Sequence, residues 1–170
     1  GGAMTTHVGA MQPGDTLEFK GPLGSLALDF SPAGSLGHIK KIGLIAGGTG
    51  VAPMSQVLRS AFHYNRSDIQ FKMVYAAAAP DQLAYLRLLQ RKARSHPNFE
   101  LFTAVDRVPE GSTWSGHVGY VTADVLRDHM FPPADDLLII VCGPYPMCQA
   151  MKNKVLPAAG YTPAMYFSYM

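Results

Sequence analysis

Two short segments of the chain carry the residue types that a bound nucleotide requires. In the first, an apolar run ends in four small residues, Gly47, Gly48, Thr49 and Gly50. The glycines remove side chains where the backbone turns, so that a phosphate or a ring can approach the main chain, and the threonine adds a hydroxyl. Pro53 suits the first helical position, and the amino end of a helix attracts an anion. This pattern indicates a nucleotide site or, as the alternative, a tight strand-to-helix connection.

The second segment follows an apolar run at residues 137–141 with Cys142, Gly143 and Pro144. The cysteine ends the predicted strand, so its thiol should emerge at the edge of a sheet, where the next two residues let a flat group lie against the turn. A zinc site is disfavoured because Cys148 follows six residues later without a neighbouring His. A nucleophile is disfavoured because no His or Asn pattern accompanies the thiol. Two interpretations remain, a small buried apolar residue and a residue that positions a nicotinamide ring; we favour the second.

Alternating strands and helices must position these two segments. The predicted strands cover residues 39–46, 70–76, 99–105, 137–142 and 166–169, and the predicted helices cover residues 53–62, 81–93, 123–129 and 146–155. This alternation predicts an α/β fold, a doubly wound parallel sheet with helices on both faces. Ligands of such sheets bind at the carboxyl ends of the strands, near the topological switch. Both segments lie at carboxyl strand ends.

The amino-terminal part does not show this alternation of strands and helices. Residues 16–30 contain short apolar stretches broken by Gly21, Pro22 and Gly24, which are typical of a small antiparallel β unit, and residues 31–41 resemble a linker. We therefore expect residues 1–36 to be the end of one domain and residues 37–170 to form the nucleotide-binding domain.

Composition narrows the classes of function. The 170 residues are 48% hydrophobic and 15% charged, as in ordinary globular proteins. A net charge of +2 without a dense basic run argues against nucleic-acid binding. We expect no membrane contact from this segment, because no apolar run reaches the roughly 18 residues of a membrane span. Two cysteines and no signal peptide favour a reducing, cytoplasmic compartment. The six histidines show no metal-ligand spacing.

A series of motifs resembles one family along nearly the whole chain. These motifs are Gly-Pro-x-Gly at residues 21–24, Ala-Gly-Gly-Thr-Gly-x-Ala-Pro-Met at 46–54, Thr-Ala-Val-Asp-Arg at 103–107, Trp-x-Gly-x-Val-Gly at 114–119, Cys-Gly-Pro-x-Pro-Met at 142–147, Gly-Tyr at 160–161 and a terminal aromatic strand. Their order and spacing resemble the NADH-cytochrome b5 reductase group of the ferredoxin reductase-like flavoenzymes, which includes the reductase domain of nitrate reductase.

The resemblance implies a role for each turn. The first turn would hold the nicotinamide and pyrophosphate side of the cofactor. The other side of the cofactor would be lined by Cys142, Gly143, Pro144 and Met147. Cys142, with Thr49 opposite, would orient the nicotinamide for hydride transfer to FAD, and Phe167 in the terminal strand would lie close to the flavin.

The nucleotide preference is less clear from the resemblance. The family usually has an acidic residue after the second strand, which contacts the adenosine ribose and favours NADH. Here Gln82 stands at that position with Asp81 beside it, so NADH is the expectation and NADPH stays open. Asp106 either contacts the nucleotide or pairs locally. The following helix carries four cations that either bind a 2′-phosphate or an acidic acceptor, or form its solvated face. These cations are Arg87, Arg91, Lys92 and Arg94.

The flavin domain of the family begins with a barrel whose Arg-x-Tyr-Thr/Ser motif is absent here. Residues 2–6 resemble its flavin phosphate loop, with Ala3 in place of a basic residue and Thr5 as the remaining phosphate contact. We therefore expect a chain that begins inside the flavin domain and is inactive alone.

The expected parent passes electrons from NADH through FAD to a cytochrome b5-like acceptor. It would be cytoplasmic or anchored to a membrane, facing the cytosol, through a segment outside this chain. The alternatives are a reductase of the nitrate reductase or oxygenase type, and a nucleotide-binding module without redox activity.

Overall fold

A six-stranded, all-parallel sheet forms the centre of the computed structural model, which describes residues 2–21, 26–34 and 36–169. The strands are β1 (Lys41–Gly47), β2 (Gln70–Ala77), β3 (Phe99–Val105), β4 (His117–Val118), β5 (Leu137–Cys142) and β6 (Tyr166–Tyr169). Their order in the sheet is β4-β3-β2-β1-β5-β6. The predicted doubly wound α/β fold is confirmed.

Helices cover both faces of this sheet. The first helix of the chain, α1 (Ala3–Ala10), has no buried residue. The helices on the sheet are α2 (Val51–His63), α3 (Leu86–Ser95), α4 (Ala123–His129) and α5 (Tyr145–Ala150), which continues through a π turn (Met151–Val155) into α6 (Leu156–Ala158). None of the helices in the described ranges is long and apolar enough to cross a membrane.

Two apolar cores result, because successive strand residues point to opposite faces of the sheet. In β1, Leu44 belongs to the first core, beneath α2 and α3, and Ile45 belongs to the second core, beneath α4 and α5. Residues 42–47 of β1 are all buried. A strand buried on both faces explains the continuous apolar run in the sequence.

Several predicted elements have the observed bounds, namely the strands at residues 99–105, 137–142 and 166–169 and the helix at 123–129. The helix predicted at residues 81–93 begins only at Leu86, because Pro80–Gln82 forms a 3-10 turn and Leu83, with φ −81° and ψ 72°, is not helical. Leu83 is buried in the first core, and this packing overrides the helical pattern. The helix predicted at residues 146–155 runs from Tyr145 to Ala158 with the π turn inside it.

The prediction of antiparallel strands over residues 16–30 is wrong for the described part of that segment. Residues 16–21 and 26–30 contain neither helix nor strand, and residues 22–25, which include Pro22 and Gly24 of the first motif, lie outside the described residues. A lone two-stranded hairpin is at best marginally stable, so these short apolar stretches do not form a ladder by themselves. Phe30 is buried with its ring centroid 6.3 Å from that of Phe71, and the half-buried Leu26 and Leu28 pack against the same core.

Candidate nucleotide-binding site

The topological switch of the sheet lies at β1. The strand β2 pairs with one side of β1 and β5 pairs with the other, so the chain leaves β1 and β5 at the same edge. From β1 the chain enters α2, on the face of the sheet that holds the first core. From β5 it enters α5, on the face that holds the second core. The crevice between two such diverging connections is where ligands bind in open α/β sheets. Both segments singled out in the sequence lie there.

The two turns touch each other through their backbones. Ala46 at the end of β1 is in register with Cys142 at the end of β5. A Cβ atom on Gly50 would lie 2.8 Å from the Gly143 nitrogen and closer still to the Cys142 carbonyl group. A Cβ atom on Gly143 would lie 3.1 Å from the Gly47 Cα. Glycine is therefore required on both turns because each turn fills the space that a side chain on the other would occupy.

The outer rim of the first turn is open. Gly48 has φ +52°, a left-handed conformation that favours glycine, and a Cβ atom there would meet nothing within 4 Å. Thr49 is exposed beside it. The amino end of α2 has no side-chain cap at Gly50, so its first N–H groups are not satisfied by a capping side chain. These are the features of a backbone that can receive an anion.

Pro53 differs slightly from its predicted position. The helix α2 begins at Val51, so Pro53 is its third residue and not its first. Because the first four N–H groups of a helix have no intrahelical acceptor, the missing N–H of Pro53 still removes no hydrogen bond.

Residues of the second turn and of α5 pack against both turns. A Cβ atom on Gly47 would lie 2.9 Å from Pro144 Cδ and closer still to Met147 Sδ. The sulfur of Cys148 lies 3.5 Å from the Gly143 carbonyl oxygen and 3.8 Å from the Tyr169 carbonyl oxygen, so its one S–H can donate to either. The sequence pattern pointed to Cys148 only as a possible metal ligand, and this supporting role was not predicted. Its spacing from Cys142, which places it one helical turn past Pro144, was the available signal.

Cys142 and Phe167 lie on the same face of the sheet. Ile140 is in register with Phe167, and Cys142 is in register with Tyr169, so these side chains alternate onto the face of the first core. The rings of Phe167 and Tyr169 are perpendicular, with centroids 5.0 Å apart. The thiol of Cys142 is half-buried and therefore accessible at the crevice. Cys142, Phe167 and Tyr169 therefore lie on one face of the sheet, beside the two turns.

The state of the Cys142 thiol gives a first prediction. Burial raises the pKa of the thiol above its ordinary value, and the neighbouring Cys148 thiol acts in the same direction. Because only the thiolate is nucleophilic, alkylation by iodoacetamide at pH 7.5 should be severalfold slower than that of free cysteine and should accelerate as the pH rises past 9. Mass spectrometry follows the modification, with Cys142→Ser as the unlabelled control because Cys148 is buried. Fast labelling at neutral pH would contradict the neutral thiol.

The carboxyl ends of β2 and β3 carry the remaining predicted contacts. The backbone N–H groups of Asp106 and Arg107 donate to the carbonyl oxygens of Ala77 and Ala78 at 3.1 and 3.2 Å. Asp106 is exposed at this edge, and Asp81 and Gln82 are exposed on the 3-10 turn that follows β2. The structure thus brings these three side chains to the ligand edge of neighbouring strands.

The other predicted residues lie elsewhere. Thr5 is exposed on α1 and lies on neither turn. On α3, Arg87, Arg91 and Arg94 are exposed, and the Lys92 ammonium lies 5.7 Å from the centre of the Phe62 ring. Within the described residues, no group of three or more His, Cys, Asp or Glu side chains could hold a metal ion.

A cavity of about 370 Å³ lies at the opposite edge of the sheet, near the amino ends of β2 and β3. Two of its lining side chains, those of Arg66 and Asn98, already have hydrogen-bond partners. Arg66 pairs with Asp68 at 2.8 Å, and the Asn98 amide donates to the carbonyl oxygens of Arg66 and Ile69. This cavity is therefore less suited to a polar ligand than the crevice at the switch.

Comparisons with known proteins identify the family of the chain. Residues 44–153 match the family described as oxidoreductase NAD-binding domain. The chain is 36% identical over 182 residues to NADH-cytochrome b5 reductase 2 of Homo sapiens, covering 99% of this chain and 64% of that protein. It is 33% identical over 180 residues to the protein of the same name from Xenopus tropicalis, covering 99% of this chain and 59% of that protein.

A solved structure extends the likeness to the fold. The cytochrome b5 reductase domain of Ulva prolifera nitrate reductase matches with a TM-score of 0.84 and 28% identity, covering 99% of this chain and 64% of that chain. The chain spans about three fifths of the length of the named relatives it matches.

Proposed function

The chain belongs to the oxidoreductase NAD-binding domain family, and on that premise we propose that the crevice between its two turns binds NADH as the nicotinamide-binding part of a flavin-dependent reductase. The observation that carries the proposal is the backbone contact of Gly50 with Cys142 and Gly143 at the topological switch. This contact places the amino end of α2, which can receive an anion, and the half-buried thiol of Cys142 in one crevice.

Each turn has a separate task in this proposal. The first turn, with Gly47, Gly48 and Gly50, receives the pyrophosphate and one face of the nicotinamide, and the Thr49 hydroxyl hydrogen-bonds the ring side. The second turn, with Cys142, Gly143 and Pro144, lines the opposite side above Met147. When bound, the nicotinamide supplies a hydride that the flavin accepts. The protein contributes orientation, which alone can supply several orders of magnitude in rate.

Cys142 acts in this proposal as a neutral side chain. Its raised pKa keeps the thiol protonated near neutral pH, so it presents a soft, uncharged surface to the ring. A thiolate there would attract the positive charge of the oxidised nicotinamide and retain the product. Phe167, on the same face, would stand next to the flavin.

The adenosine half would lie along the ends of β2 and β3. Asp81 and Asp106 place negative charge at that edge, which disfavours a 2′-phosphate, and Gln82 adds a neutral hydrogen-bonding group. We therefore propose a preference for NADH over NADPH.

The acceptor and the domain division are further proposals. The names of the relatives support a cytochrome b5-like acceptor of single electrons, and the likeness to the Ulva prolifera domain supports the nitrate reductase type as the second candidate. We propose residues 37–170 as the nucleotide-binding domain and residues 1–36 as part of an FAD-binding domain, with Thr5 at the flavin phosphate. A cytosol-facing location fits this assignment.

Calorimetric titration of the chain with NADH, NADPH and FAD tests the proposed function. We expect NADH to bind, NADPH to bind at least about tenfold more weakly, and FAD to bind weakly. Heat from NADH that is unchanged when Gly48 and Thr49 are both replaced by bulky residues would place binding elsewhere and contradict the proposal.

A further inference from the structure

A groove of about 330 Å³ lies between α2 and α3. Its floor includes Leu58 and Leu89, which are buried in the first core. Tyr85 and Leu88, at the start of α3, also line the groove and are exposed, although both are large apolar side chains. None of the described residues that line the groove belongs to either turn of the crevice. The groove is therefore an apolar surface separate from the two turns.

The two helices that form the groove carry only positive charge. Together α2 and α3 contain five Arg or Lys residues and no Asp or Glu. The five cations are Arg59, Arg87, Arg91, Lys92 and Arg94. Arg59 and Lys92 line the groove, and neither forms an ion pair with another described residue. An anion bound in the groove would therefore pair with both cations and would displace no carboxylate of the described residues.

The positive charge lies at one end of the groove. In α2, Arg59 comes one turn before Phe62, and the Lys92 ammonium lies 5.7 Å from the centre of the Phe62 ring. Ala52 and Tyr85 mark the other end, where both helices begin. The distance from Ala52 to Phe62 along α2 is about 15 Å. The groove is thus apolar at one end and cationic at the other.

We propose that the groove binds an anionic amphiphile with one unbranched alkyl chain, of the class of the medium-chain carboxylates. The carboxylate lies between Arg59 and Lys92, and the alkyl chain lies over Leu58 and Leu89 toward Tyr85. A small inorganic anion would leave the apolar floor uncovered, and an uncharged apolar molecule would leave the two cations unpaired. An amphiphile meets both requirements, because burial of its apolar surface and pairing with the cations each contribute to its affinity.

Titration of the isotopically labelled chain with decanoate, followed by NMR, tests the proposal. The amide signals of Ala52, Leu58, Leu88 and Lys92 should shift together and report one dissociation constant. Decanol, which has the same chain length without the charge, should bind about fivefold more weakly, which is the effect of a solvent-exposed ion pair. Decyltrimethylammonium, which has the opposite charge, should bind more weakly than decanol.

Lys92→Gln and Arg94→Gln form a matched pair of variants, because each removes one positive charge from α3. Lys92 lines the groove, whereas Arg94 is exposed and is not among the described lining residues. Lys92→Gln should weaken decanoate binding about fivefold and leave decanol binding unchanged. Arg94→Gln should change neither affinity. Both variants should melt within about 3 °C of the wild-type chain, because neither replaces a fully buried side chain.

Three results would overturn the inference. One is an equal affinity for decanoate, decanol and decyltrimethylammonium, which would mean that only apolar contact is made. Another is an equal decanoate affinity of the two variants, which would mean that Lys92 makes no specific contact. The third is an absence of decanoate-induced shifts in the amide signals of the groove. The proposed function is independent of all three results, because none of the described lining residues belongs to the two turns.

Discussion

Replacing Gly50 by alanine is expected to lower the melting temperature by roughly 5 °C or more and to weaken NADH binding at least about tenfold. Gly50 has φ −60°, so alanine is conformationally acceptable there, and the effect comes from contact alone. The added methyl group would overlap the Cys142 carbonyl group and the Gly143 nitrogen, which are backbone atoms that cannot rotate away. The two turns must then separate. Circular dichroism melting and calorimetric titration measure the two effects.

Gly9→Ala provides the control for this substitution. Gly9 lies in α1, and a Cβ atom there would meet nothing within 4 Å. Alanine favours a helix relative to glycine, so stability should be unchanged or slightly higher and NADH affinity should stay the same. A Gly50→Ala chain that melts and binds like the Gly9→Ala chain would show that the two turns are not in contact.

Replacing Cys142 by serine is expected to slow hydride transfer at least about tenfold in a flavin-containing form of the protein, while the NADH dissociation constant changes less than about threefold. The sulfur lies at the end of β5, half-buried against the first core. Serine is smaller and prefers a hydrogen-bond partner, so in the proposed site the nicotinamide ring would lose a surface that orients it, whereas the contacts proposed for the pyrophosphate would remain. Stopped-flow absorbance of the flavin gives the rate, and its dependence on NADH concentration gives the affinity.

Tyr145→Phe is the control for Cys142→Ser. Tyr145 begins α5 beside the same turn and is 67% exposed, with its hydroxyl oxygen accepting from the Gln149 side chain at 2.9 Å. Neither rate nor affinity should change. An unaltered rate of flavin reduction in Cys142→Ser would contradict the assigned role of the thiol.

The sheet, and the meeting of the two turns at one of its edges, could be predicted because their signals are local in the sequence. Apolar runs ending in glycine and proline mark β1 and β5, and parallel strands present their carboxyl ends at one edge. The contact of Gly50 with Cys142 could not be predicted, because it depends on the register of Ala46 with Cys142, which no local pattern encodes. The supporting thiol of Cys148 depends on the same packing.

The differences between prediction and structure have separate physical causes. The helical pattern of residues 81–93 is interrupted because Leu83 turns into the core. The expected strands of residues 16–30 lack a ladder in the described part of that segment, because strand propensity has no effect without a paired neighbour. The two-residue strand β4 is too short to produce any periodicity.

The most direct test of the central claim, that the two turns form one nucleotide site, is a titration of the isotopically labelled chain with NADH followed by NMR. The amide signals of Gly47, Gly48 and Gly50 should shift together with those of Cys142 and Gly143, and all should report one dissociation constant. Shifts confined to one turn, or two sets of shifts with different dissociation constants, would contradict a single site.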